Sequence, residues 1–510
     1  MSTIRRSDAA LAREPLFSVA STRRIEAAAL RAAPPFALMA RAGDAVARLA
    51  LALAPHARRV LVFAGPGNNG GDGIEAATRL RALGKDAAVV LLGDPAALPA
   101  DAAQAYARAR QAGVPISPGS ANAASGDVPE LVIDALLGLG ATRPPAGDLA
   151  AAIGLVATLA GRGARVLSVD VPSGLDPERG QPFGDACIVA HDTLSLIGAR
   201  PGLFTASGRD HAGTVWTDTL ALELDDEPPD AWLVGAGEIA RSAGQRRHSQ
   251  HKGSFGDVAI VGGAAGMAGA ALLAARAAHA AGAGRVFVDL LDAAAAFALD
   301  PERPELMLRN DWWQGPAETL EQSTVVCGCG GGDAVRAALP RLIALAPRLV
   351  LDADALNAIA ADPGLQAMLA ARAGRARATI LTPHPLEAAR LLGTTTHAVQ
   401  ADRLAAAAAL VDRYRATVVL KGSGSVIAAA GERPRINATG NAALATAGTG
   451  DVLAGWIGGR WRADEAAFEV ATLGVVEHGA AAEPERPGPL RAADLVEQLY
   501  RDARGMRSAG

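Results

Sequence analysis

Short apolar runs along the chain alternate with longer segments in which apolar residues recur every three or four positions. A short apolar run between turn residues predicts a buried strand, and the longer period predicts an amphipathic helix. In the first half the strands are expected at 59–63, 88–92, 131–134, 165–170 and 192–196, and helices at 24–54 and 74–83. Strands separated by helices indicate a parallel sheet covered on both faces.

A second series of the same kind follows residue 250. Its strands are expected at 257–262, 285–290, 323–327, 349–352, 379–381 and 416–420. Between the two series, the stretch "LELDDEPP" at 222–229 interrupts the periodicity with charge and proline. The pattern therefore predicts two α/β domains, one over 1–221 and one over 251–505, joined by a linker over 222–250.

The composition of the chain excludes some classes of binding partner. A chain of 510 residues with a net charge of -4 has no field that attracts polyanions, which argues against nucleic acid as a partner. No apolar run is long enough to span a bilayer, and the N-terminus lacks the apolar core of a signal peptide, so we expect a cytoplasmic protein without a membrane partner. The odd set of three cysteines fits a reducing compartment.

Five glycines and two asparagines crowd the stretch "FAGPGNNGGDGIEAATRL", which begins at Phe63. They predict a strand-to-helix turn whose backbone amides suit a phosphate, since glycines let amides converge and a helix N-terminus is partly positive. The side-chain oxygens of Asn68, Asn69 and Asp72 suit a cation or the polar groups of a nucleotide. Asn-Gly and Gly-Asp are also ordinary turn formers, so a purely structural turn is the alternative.

Two further predicted strands end in polar residues. "VIDALLGLG" places Asp134 after a strand, and "VLSVDVPSGLD" does the same for Asp170 and Ser173. Ligands gather at the carboxyl ends of parallel strands, so these side chains and Asn69 are expected to meet in one crevice. Turn formation is again the alternative for each residue alone.

Together with "RRIEAAALRAAPPFALMARAG", these motifs closely resemble the NAD(P)HX epimerase domain from about Arg23 to Ala221. The resemblance implies a Rossmann-like domain that interconverts the R and S epimers of hydrated NADH or NADPH, with Asp170 as the acid-base group. It also implies a potassium ion held by Asn69, Asp134 and Ser173. The implied substrate contacts are Asn68, Asn69, Gly70, Gly71, Asp72, Gly138, Leu139, Gly140, Ala141, Thr142, Arg143, Pro144 and Asp170.

In the second half, "NATGNAALATAGTGDVLAGWIGG" leads Gly448 and Gly450 into an apolar helix with Asp451 at its start. Amides at a helix start stabilise a phosphoryl group, and a carboxylate beside them accepts a proton from a substrate hydroxyl or holds Mg²⁺. A helix cap is the structural alternative for Asp451. The turn that follows "VVLK", from Lys421, predicts a second phosphate contact, and His384 in "LTPHPLEAARLLG" is a candidate ligand contact at a strand end.

These motifs, with "HKGSFGDVAIVGGAAGMAGAALLAARAAHAAGAGRV", "RPELM" and "LDADALN", resemble the ADP/ATP-dependent NAD(P)HX dehydratase domain over about 230–505. The resemblance implies a ribokinase-like fold in which ADP, used with Mg²⁺, activates the ring hydroxyl of the S hydrate, giving AMP and phosphate. It implies hydrate contacts at Ala270, His384 and Asp451, with Asp451 catalytic. The implied nucleotide contacts are Lys421, Gly422, Ser423, Gly424, Ser425 and Gly450.

Two loops depart from the pattern of that family. The chain has "CGCGGG" from Cys327 where the family usually has "GPGLG", which removes a fixed φ angle. It also has Leu386 where the family has the glycine of "HPGE", which adds bulk near His384.

The whole chain is thus expected to be a bifunctional repair enzyme that acts on small molecules and forms a homo-oligomer. A ribokinase-type kinase for a small vitamin precursor is an alternative that explains the second half alone. A nucleotide-sensing or scaffold protein is another.

Overall fold

The computed structural model describes residues 3–119, 127–242, 248–291, 299–483 and 488–505, with the backbone alone at 240–242. The chain divides into two compact units. The first comprises Met1–Asp8 and Glu14–Trp232, and the second comprises Ala9–Arg13 and Leu233–Gly510. Among the described residues, none of the helices has both the length and the apolar character needed to cross a bilayer.

The first part of the chain alternates strands and helices as its sequence pattern predicts. Its strands are β1 (Arg5–Ser7), β2 (Arg13–Leu16), β3 (Arg59–Ala64), β4 (Asp86–Leu91), β5 (Ile116–Pro118), β6 (Leu131–Ala135), β7 (Arg165–Val169), β8 (Asp192–Leu196) and β9 (Thr214–Asp218). Its helices are α1 (Val19–Ala32), α2 (Ala37–Leu53), α3 (Asn68–Ala82), α4 (Ala100–Gln111), α5 (Asp148–Gly161) and α6 (Gly208–Ala212).

Eight of these strands form a sheet in the order β1-β9-β8-β7-β6-β3-β4-β5. All neighbours are parallel except the edge pair of β1 and β9. From β3 the chain winds to β4 and β5 on one side, and then from β6 to β9 on the other. This reversal between β3 and β6 is the switch point of a Rossmann-like sheet, where ligands bind beyond the carboxyl ends of the strands. The α/β expectation is confirmed for this unit.

Two predicted boundaries in this unit are wrong. The helical stretch 24–54 is two helices, because Pro34 and Pro35 interrupt the amide ladder between α1 and α2. The glycine-rich stretch is mostly helix and not turn, since α3 begins at Asn68 and not at Ile74. A Cβ at Gly70 would lie 2.0 Å from the carbonyl oxygen of Gly65, so close packing requires glycine in this helix despite its low helix propensity.

The second part begins with β10 (Ala231–Val234) and α7 (Gly237–Ser242), both inside the range 222–250 for which a linker is expected. The limits of the two domains therefore stay a proposal. The further strands are β11 (Asp257–Gly262), β12 (Arg285–Leu290), β13 (Met307–Leu308), β14 (Ser323–Cys327), β15 (Arg348–Leu351), β16 (Ala378–Leu381), β17 (Thr417–Leu420), β18 (Val426–Ala428) and β19 (Arg435–Asn437). The helices are α8 (Ala268–Ala280), α9 (Ala317–Glu321), α10 (Val335–Leu345), α11 (Ala353–Ala360), α12 (Pro363–Ala370), α13 (Pro385–Leu392), α14 (Thr396–Ala401), α15 (Arg403–Tyr414), α16 (Thr449–Arg460), α17 (Ala467–Ala480) and α18 (Ala492–Ala503).

Nine strands of this part lie side by side in the order β13-β12-β11-β14-β15-β16-β17-β18-β19. The pairs from β13 to β17 are parallel, whereas β18 and β19 add an antiparallel extension. Helix α16 packs closely on α8, because a Cβ at Gly455 would lie 2.0 Å from the carbonyl oxygen of Ala274. The α/β expectation is confirmed here as well.

Candidate active sites

A cavity of about 930 Å³ opens at the carboxyl ends of β3, β6, β7 and β8. Its wall contains most of the predicted substrate contacts, namely Asn68, Asn69, Asp72, Gly138, Leu139, Gly140, Ala141, Thr142, Arg143, Pro144 and Asp170. Gly70 and Gly71 are buried in α3 behind this wall. The structure thus gathers three separate sequence motifs around one space of a size that suits a nucleotide.

Asp134 and Ser173 form the buried centre of a polar cluster beside this cavity. One carboxylate oxygen of Asp134 accepts the hydroxyl of Ser173 at 2.6 Å, and the other accepts the hydroxyl of Ser168 at 2.8 Å and the amide of Ser173 at 3.0 Å. Burial raises the pKa of Asp134, and these hydrogen bonds oppose that rise.

Asn69 lies at the same edge, since a Cβ at Gly138 would lie 3.3 Å from its Oδ1. Its Nδ2 is buried with no hydrogen-bond partner among the described residues. A buried polar atom without a partner is costly, and the two ends of an amide are interchangeable in assignment. With the carboxylate of Asp134 and the hydroxyl of Ser173, this amide makes an oxygen donor set that fits a hard monovalent cation.

Asp170 follows β7 in a left-handed backbone conformation, with φ at 68°. Such a conformation is strained for a residue other than glycine, asparagine or aspartate, and it turns the side chain into the crevice. Its carboxylate accepts a hydrogen bond from the guanidinium of Arg200 at 3.2 Å. Burial raises the pKa of Asp170, although Arg200 pulls it down. An acid with a raised pKa in a cavity is suited to proton transfer.

Three further acids, Glu26, Asp72 and Asp101, line the same cavity as Asp170. Burial raises the pKa of Asp72 well above its usual range, and the carboxylates of Asp170 and Glu26 raise it further. Burial, followed by the charge of Asp170, also raises the pKa of Glu26. The cavity therefore holds several carboxyl groups whose protonation depends on one another.

In the second unit, Asp451 lies in the first turn of α16, after Gly448 with φ at 91°. The first amides of a helix have no partner within it, so those of this turn remain available to a ligand. Burial raises the pKa of Asp451 to about 6, and the charge of Asp352 adds to the rise. The carboxylate therefore combines ionisation at neutral pH with more basicity than an ordinary aspartate.

Lys421 follows β17 and forms an ion pair with Asp352, which follows β15. The ammonium lies 2.6 Å from Oδ1 of Asp352, and the hydroxyl of Thr382 donates to the same oxygen at 2.8 Å. Burial acts to lower the pKa of Lys421, but the carboxylates of Asp352 and Glu387 outweigh it and raise that pKa. A Cβ at Gly450 would lie 3.3 Å from the ammonium, so the ion pair and the start of α16 adjoin.

Arg403 stabilises the turn after β17, which consists of Lys421, Gly422, Ser423, Gly424 and Ser425. The guanidinium, only 1% exposed, donates to the carbonyl oxygens of Leu420 at 3.1 Å and Lys421 at 3.2 Å. The φ angles of Gly422 and Gly424 are 130° and 59°, values that side chains rarely adopt. Gly422 and Ser423 are exposed. The turn is thus fixed in shape and open to a ligand.

His384 joins the same edge but is engaged with its own helix, α13. Its Nδ1 accepts the amide of Leu386 at 3.1 Å, and its Nε2 lies 3.2 Å from the carboxylate of Glu387. Burial lowers the pKa of His384, and burial raises the pKa of Glu387 to about 7. Leu386 is 43% exposed, so its bulk faces solvent.

Ala270 lies on α8 beside the loop that follows β14, since a Cβ at Gly330 would lie 2.9 Å from Ala270 Cβ. In that loop the side chain of Cys329 adjoins the carboxylates, because atoms of Cys329, Asp352 and Asp451 lie within 4.8 Å of one another. This set does not fit a Mg²⁺ ion held by the protein. Mg²⁺ requires oxygen ligands and avoids sulfur, and the ammonium of Lys421 already occupies Asp352.

Sequence reasoning did not select five residues that shape these sites: Glu26, Arg200, Asp352, Glu387 and Arg403. Asp352 had a signal, because it ends a predicted strand in "LDADALN". Glu387 stands at the third position after His384, the spacing of a capping box. Arg200 and Arg403 act across the fold, so their sequence neighbours give no signal.

Comparison with known proteins finds a family match for each of the two parts of the chain. Residues 258–499 match the family described as NAD(P)H-hydrate dehydratase, and residues 35–202 match the family described as YjeF-related protein N-terminus. The bifunctional NAD(P)H-hydrate repair enzyme Nnr of Escherichia coli K12 is 35% identical over 482 residues, which cover 91% of this chain and 89% of that protein. Its counterpart in Vibrio cholerae is 35% identical over 495 residues, covering 93% and 94%.

A crystal structure of the ADP/ATP-dependent NAD(P)H-hydrate dehydratase from Bacillus subtilis, co-crystallised with ATP and Mg²⁺, is 29% identical with a TM-score of 0.44. It covers 53% of this chain and 97% of that one. The two curated relatives extend across both units at an identity and coverage that define common membership. The chain belongs to the family of bifunctional NAD(P)H-hydrate repair enzymes.

Proposed function

We propose that this chain repairs hydrated NADH and NADPH through two activities, an epimerase in the first unit and a dehydratase in the second. The observation that carries the proposal is that each unit gathers polar residues from several strand ends into its own site. A ribokinase-type kinase would account for the second site alone. Family membership over the whole chain favours the repair enzyme over that alternative.

In the first unit, the hydrate occupies the cavity with its phosphates near the start of α3 and its ring near Asp170. Asp170 moves a proton or acts on the hydroxyl at the carbon that inverts, and Arg200 stabilises its ionised form. Asn69, Asp134 and Ser173 would hold a potassium ion. When bound, that ion would supply a fixed positive charge to the site.

In the second unit, Asp451 accepts the proton of the ring hydroxyl of the S hydrate. The hydroxyl oxygen attacks the terminal phosphorus of ADP, and the bond between that phosphorus and the bridging oxygen breaks to release AMP. The bond between the ring carbon and the phosphorylated oxygen then breaks, and phosphate leaves. A proton on the neighbouring ring carbon passes to water, and the carbon–carbon double bond that forms restores the dihydronicotinamide.

The first-turn amides of α16 and the ammonium of Lys421 stabilise the charge that develops on the phosphoryl group. Ala270 and His384 contact the hydrate, and the turn from Lys421 to Ser425, together with Gly450, contacts the nucleotide. Mg²⁺, when bound together with ADP, would offset part of the charge of the phosphates. We also propose that the chain acts in the cytoplasm as a homo-oligomer.

The test supplies the S hydrate with ADP and Mg²⁺ and follows the recovery of dihydronicotinamide absorbance. The wild-type chain restores the absorbance, and Asp451→Asn abolishes the recovery while calorimetry still detects ADP binding, because only the proton-accepting group is lost. Unchanged turnover in that variant would refute the role of Asp451. Consumption of ATP with an unrelated alcohol, and none with the hydrate, would favour the kinase.

A further inference from the structure

Cys329 occupies a tightly constrained place in the loop after β14. It is 1% exposed, and its carbonyl oxygen accepts the amide of Gly263 at 2.9 Å. Its neighbours Gly328 and Gly330 have φ angles of 118° and 58°, which turn the backbone sharply on either side. A Cβ at Gly328 would lie 2.0 Å from the carbonyl oxygen of Asp352, so the backbone before Cys329 packs directly against that residue.

This constraint places the thiol against the proposed catalytic base. Side-chain atoms of Cys329, Asp352 and Asp451 lie within 4.8 Å of one another, so the thiol lies close to the carboxylate of Asp451. Asp352 is engaged elsewhere, with the ammonium of Lys421 at 2.6 Å and the hydroxyl of Thr382 at 2.8 Å. Asp451 is thus the candidate acceptor for the thiol proton.

The thiol at this position remains protonated. Burial raises the pKa of Cys329 well above its usual range, and the negative charges of Asp451 and Asp352 raise it further. A buried, protonated thiol is inert as a nucleophile, but it has a proton to donate. A hydrogen bond from this thiol to Asp451 would favour the ionised form of the carboxylate.

The other charged groups that face Asp451 are Asp352, Asp354 and Lys421. His478 on α17 donates from Nε2 to the carbonyl oxygen of Thr449 at 2.9 Å, and burial lowers the pKa of His478 to about 4. It is therefore neutral at physiological pH. The two aspartates disfavour ionisation of Asp451, whereas Lys421 and the thiol favour it.

We propose that Cys329 is a positioning residue for dehydration, whose thiol hydrogen bond keeps the carboxylate of Asp451 ionised and fixed in orientation. This inference rests on the proposed function of the second unit. The loop pattern that this chain resembles has a proline here, which offers no donor, so the thiol is a feature of this chain. Removing it leaves Asp451 among acids with Lys421 as its remaining stabilising charge.

An infrared measurement on the full chain tests the hydrogen bond without using activity. The S–H stretching band of Cys329 is the band that disappears in Cys329→Ala. In Asp451→Asn this band moves to higher frequency, because an amide is a weaker acceptor than a carboxylate. The bands of Cys187 and Cys327 stay in place. A Cys329 band at the same frequency in both proteins would overturn the inference.

The pH dependence of dehydration tests the consequence. In Cys329→Ala the acid limb of kcat moves up by about one pH unit, since a donor to the carboxylate is lost, and KM for ADP stays within about twofold. Cys329→Ser restores the limb because a hydroxyl also donates. Cys327→Ala is the matched control, because Cys327 is a buried cysteine two residues away, at the end of β14, and packs in a different apolar cluster.

The inference is contradicted if the acid limb of the kcat profile in Cys329→Ala coincides with that of the wild type. It is also contradicted if Cys329→Ser does not return the shifted limb to the wild-type position. A wild-type chain that dehydrates no hydrate contradicts the proposed function instead. In that case the infrared band alone decides whether the thiol donates a hydrogen bond to Asp451.

Discussion

The ammonium of Lys421 lies 2.6 Å from a carboxylate oxygen of Asp352, so the lysine is charge-compensated before any nucleotide binds. The two residues follow different strands, β17 and β15, and meet only at the carboxyl edge of the sheet. Both are largely buried, with side chains 18% and 2% exposed. Removing one partner of such a pair leaves the other charge without compensation.

Lys421→Met should therefore destabilise the chain even without nucleotide. Leaving Asp352 buried and unpaired costs about 3 kcal/mol, which lowers the melting temperature by about 6–10 °C. The double variant Lys421→Met/Asp352→Asn should recover most of the loss, because no uncompensated charge remains. Scanning calorimetry of both variants measures the coupling. Equal melting temperatures for Lys421→Met and the wild type would show that the pair contributes nothing.

Asp451→Asn should stabilise the fold, in a way that depends on pH. The folded-state pKa of about 6 exceeds the ordinary value of 3.8, so ionising Asp451 costs the folded protein stability as pH rises through this window. Above pH 6 the variant should be more stable by about 3 kcal/mol, less a few tenths for the lost interaction with the helix dipole. Below pH 4 the difference should vanish. A melting-temperature difference that does not change between pH 4 and pH 8 would contradict the raised pKa.

Much of this fold could be predicted from the sequence, because parallel strands that are buried on both faces consist of unbroken apolar runs. Strands β8, β11, β12 and β14 begin and end where the pattern predicts. The start of α3 could not be predicted, since its glycines are required by packing against Gly65 and Met39 rather than by local preference. Tertiary contacts override propensity at such positions.

The candidate sites likewise contain some residues that the sequence indicates and others that it does not. Asp134 lies near the end of β6, Asp170 lies directly after β7, and Asp451 lies in the first turn of α16. Polar residues at such positions indicate a ligand site from the sequence alone. Arg200 donates a hydrogen bond to Asp170, which is 30 residues away in the sequence. Arg403 donates to the carbonyl oxygen of Lys421, which is 18 residues away. Only the folded chain brings such partners together.

Arg403→Lys should weaken ADP binding by loosening the turn after β17. A lysine cannot span both carbonyl oxygens that the guanidinium reaches, so KM for ADP should rise by about tenfold. Arg372→Lys is the matched control. Arg372 is also buried, and it donates to the carbonyl oxygens of Ala346 and Ala378 at the amino edge of the sheet, away from the site.

Steady-state kinetics with varied ADP separates the two variants. Arg372→Lys should lower the melting temperature but leave KM for ADP unchanged. If both variants raise KM equally, the effect is general destabilisation and the turn has no specific role.

Asp170→Asn should slow consumption of the R epimer by at least about 100-fold, because an amide cannot accept the proton that the carboxylate accepts. Use of the S epimer should be spared, since the dehydratase site lies in the other unit. Adding each pure epimer with ADP and Mg²⁺, and following the recovered absorbance, measures both rates. Equal loss on both epimers would contradict the assignment of two sites.

Ser173→Ala should weaken the response of the epimerase to potassium. The variant removes a hydroxyl from the donor set formed with Asp134 and Asn69, so the potassium concentration for half-maximal epimerisation should rise by about tenfold. Ser168→Ala is the matched control, because its buried hydroxyl also donates to Asp134, at 2.8 Å, but is not among the proposed ligands. Titrating potassium into choline-based buffer, with the melting temperature as a second readout, distinguishes the two variants. If Ser168→Ala shifts the potassium response as far as Ser173→Ala, the hydroxyl of Ser173 supports Asp134 and does not bind the ion.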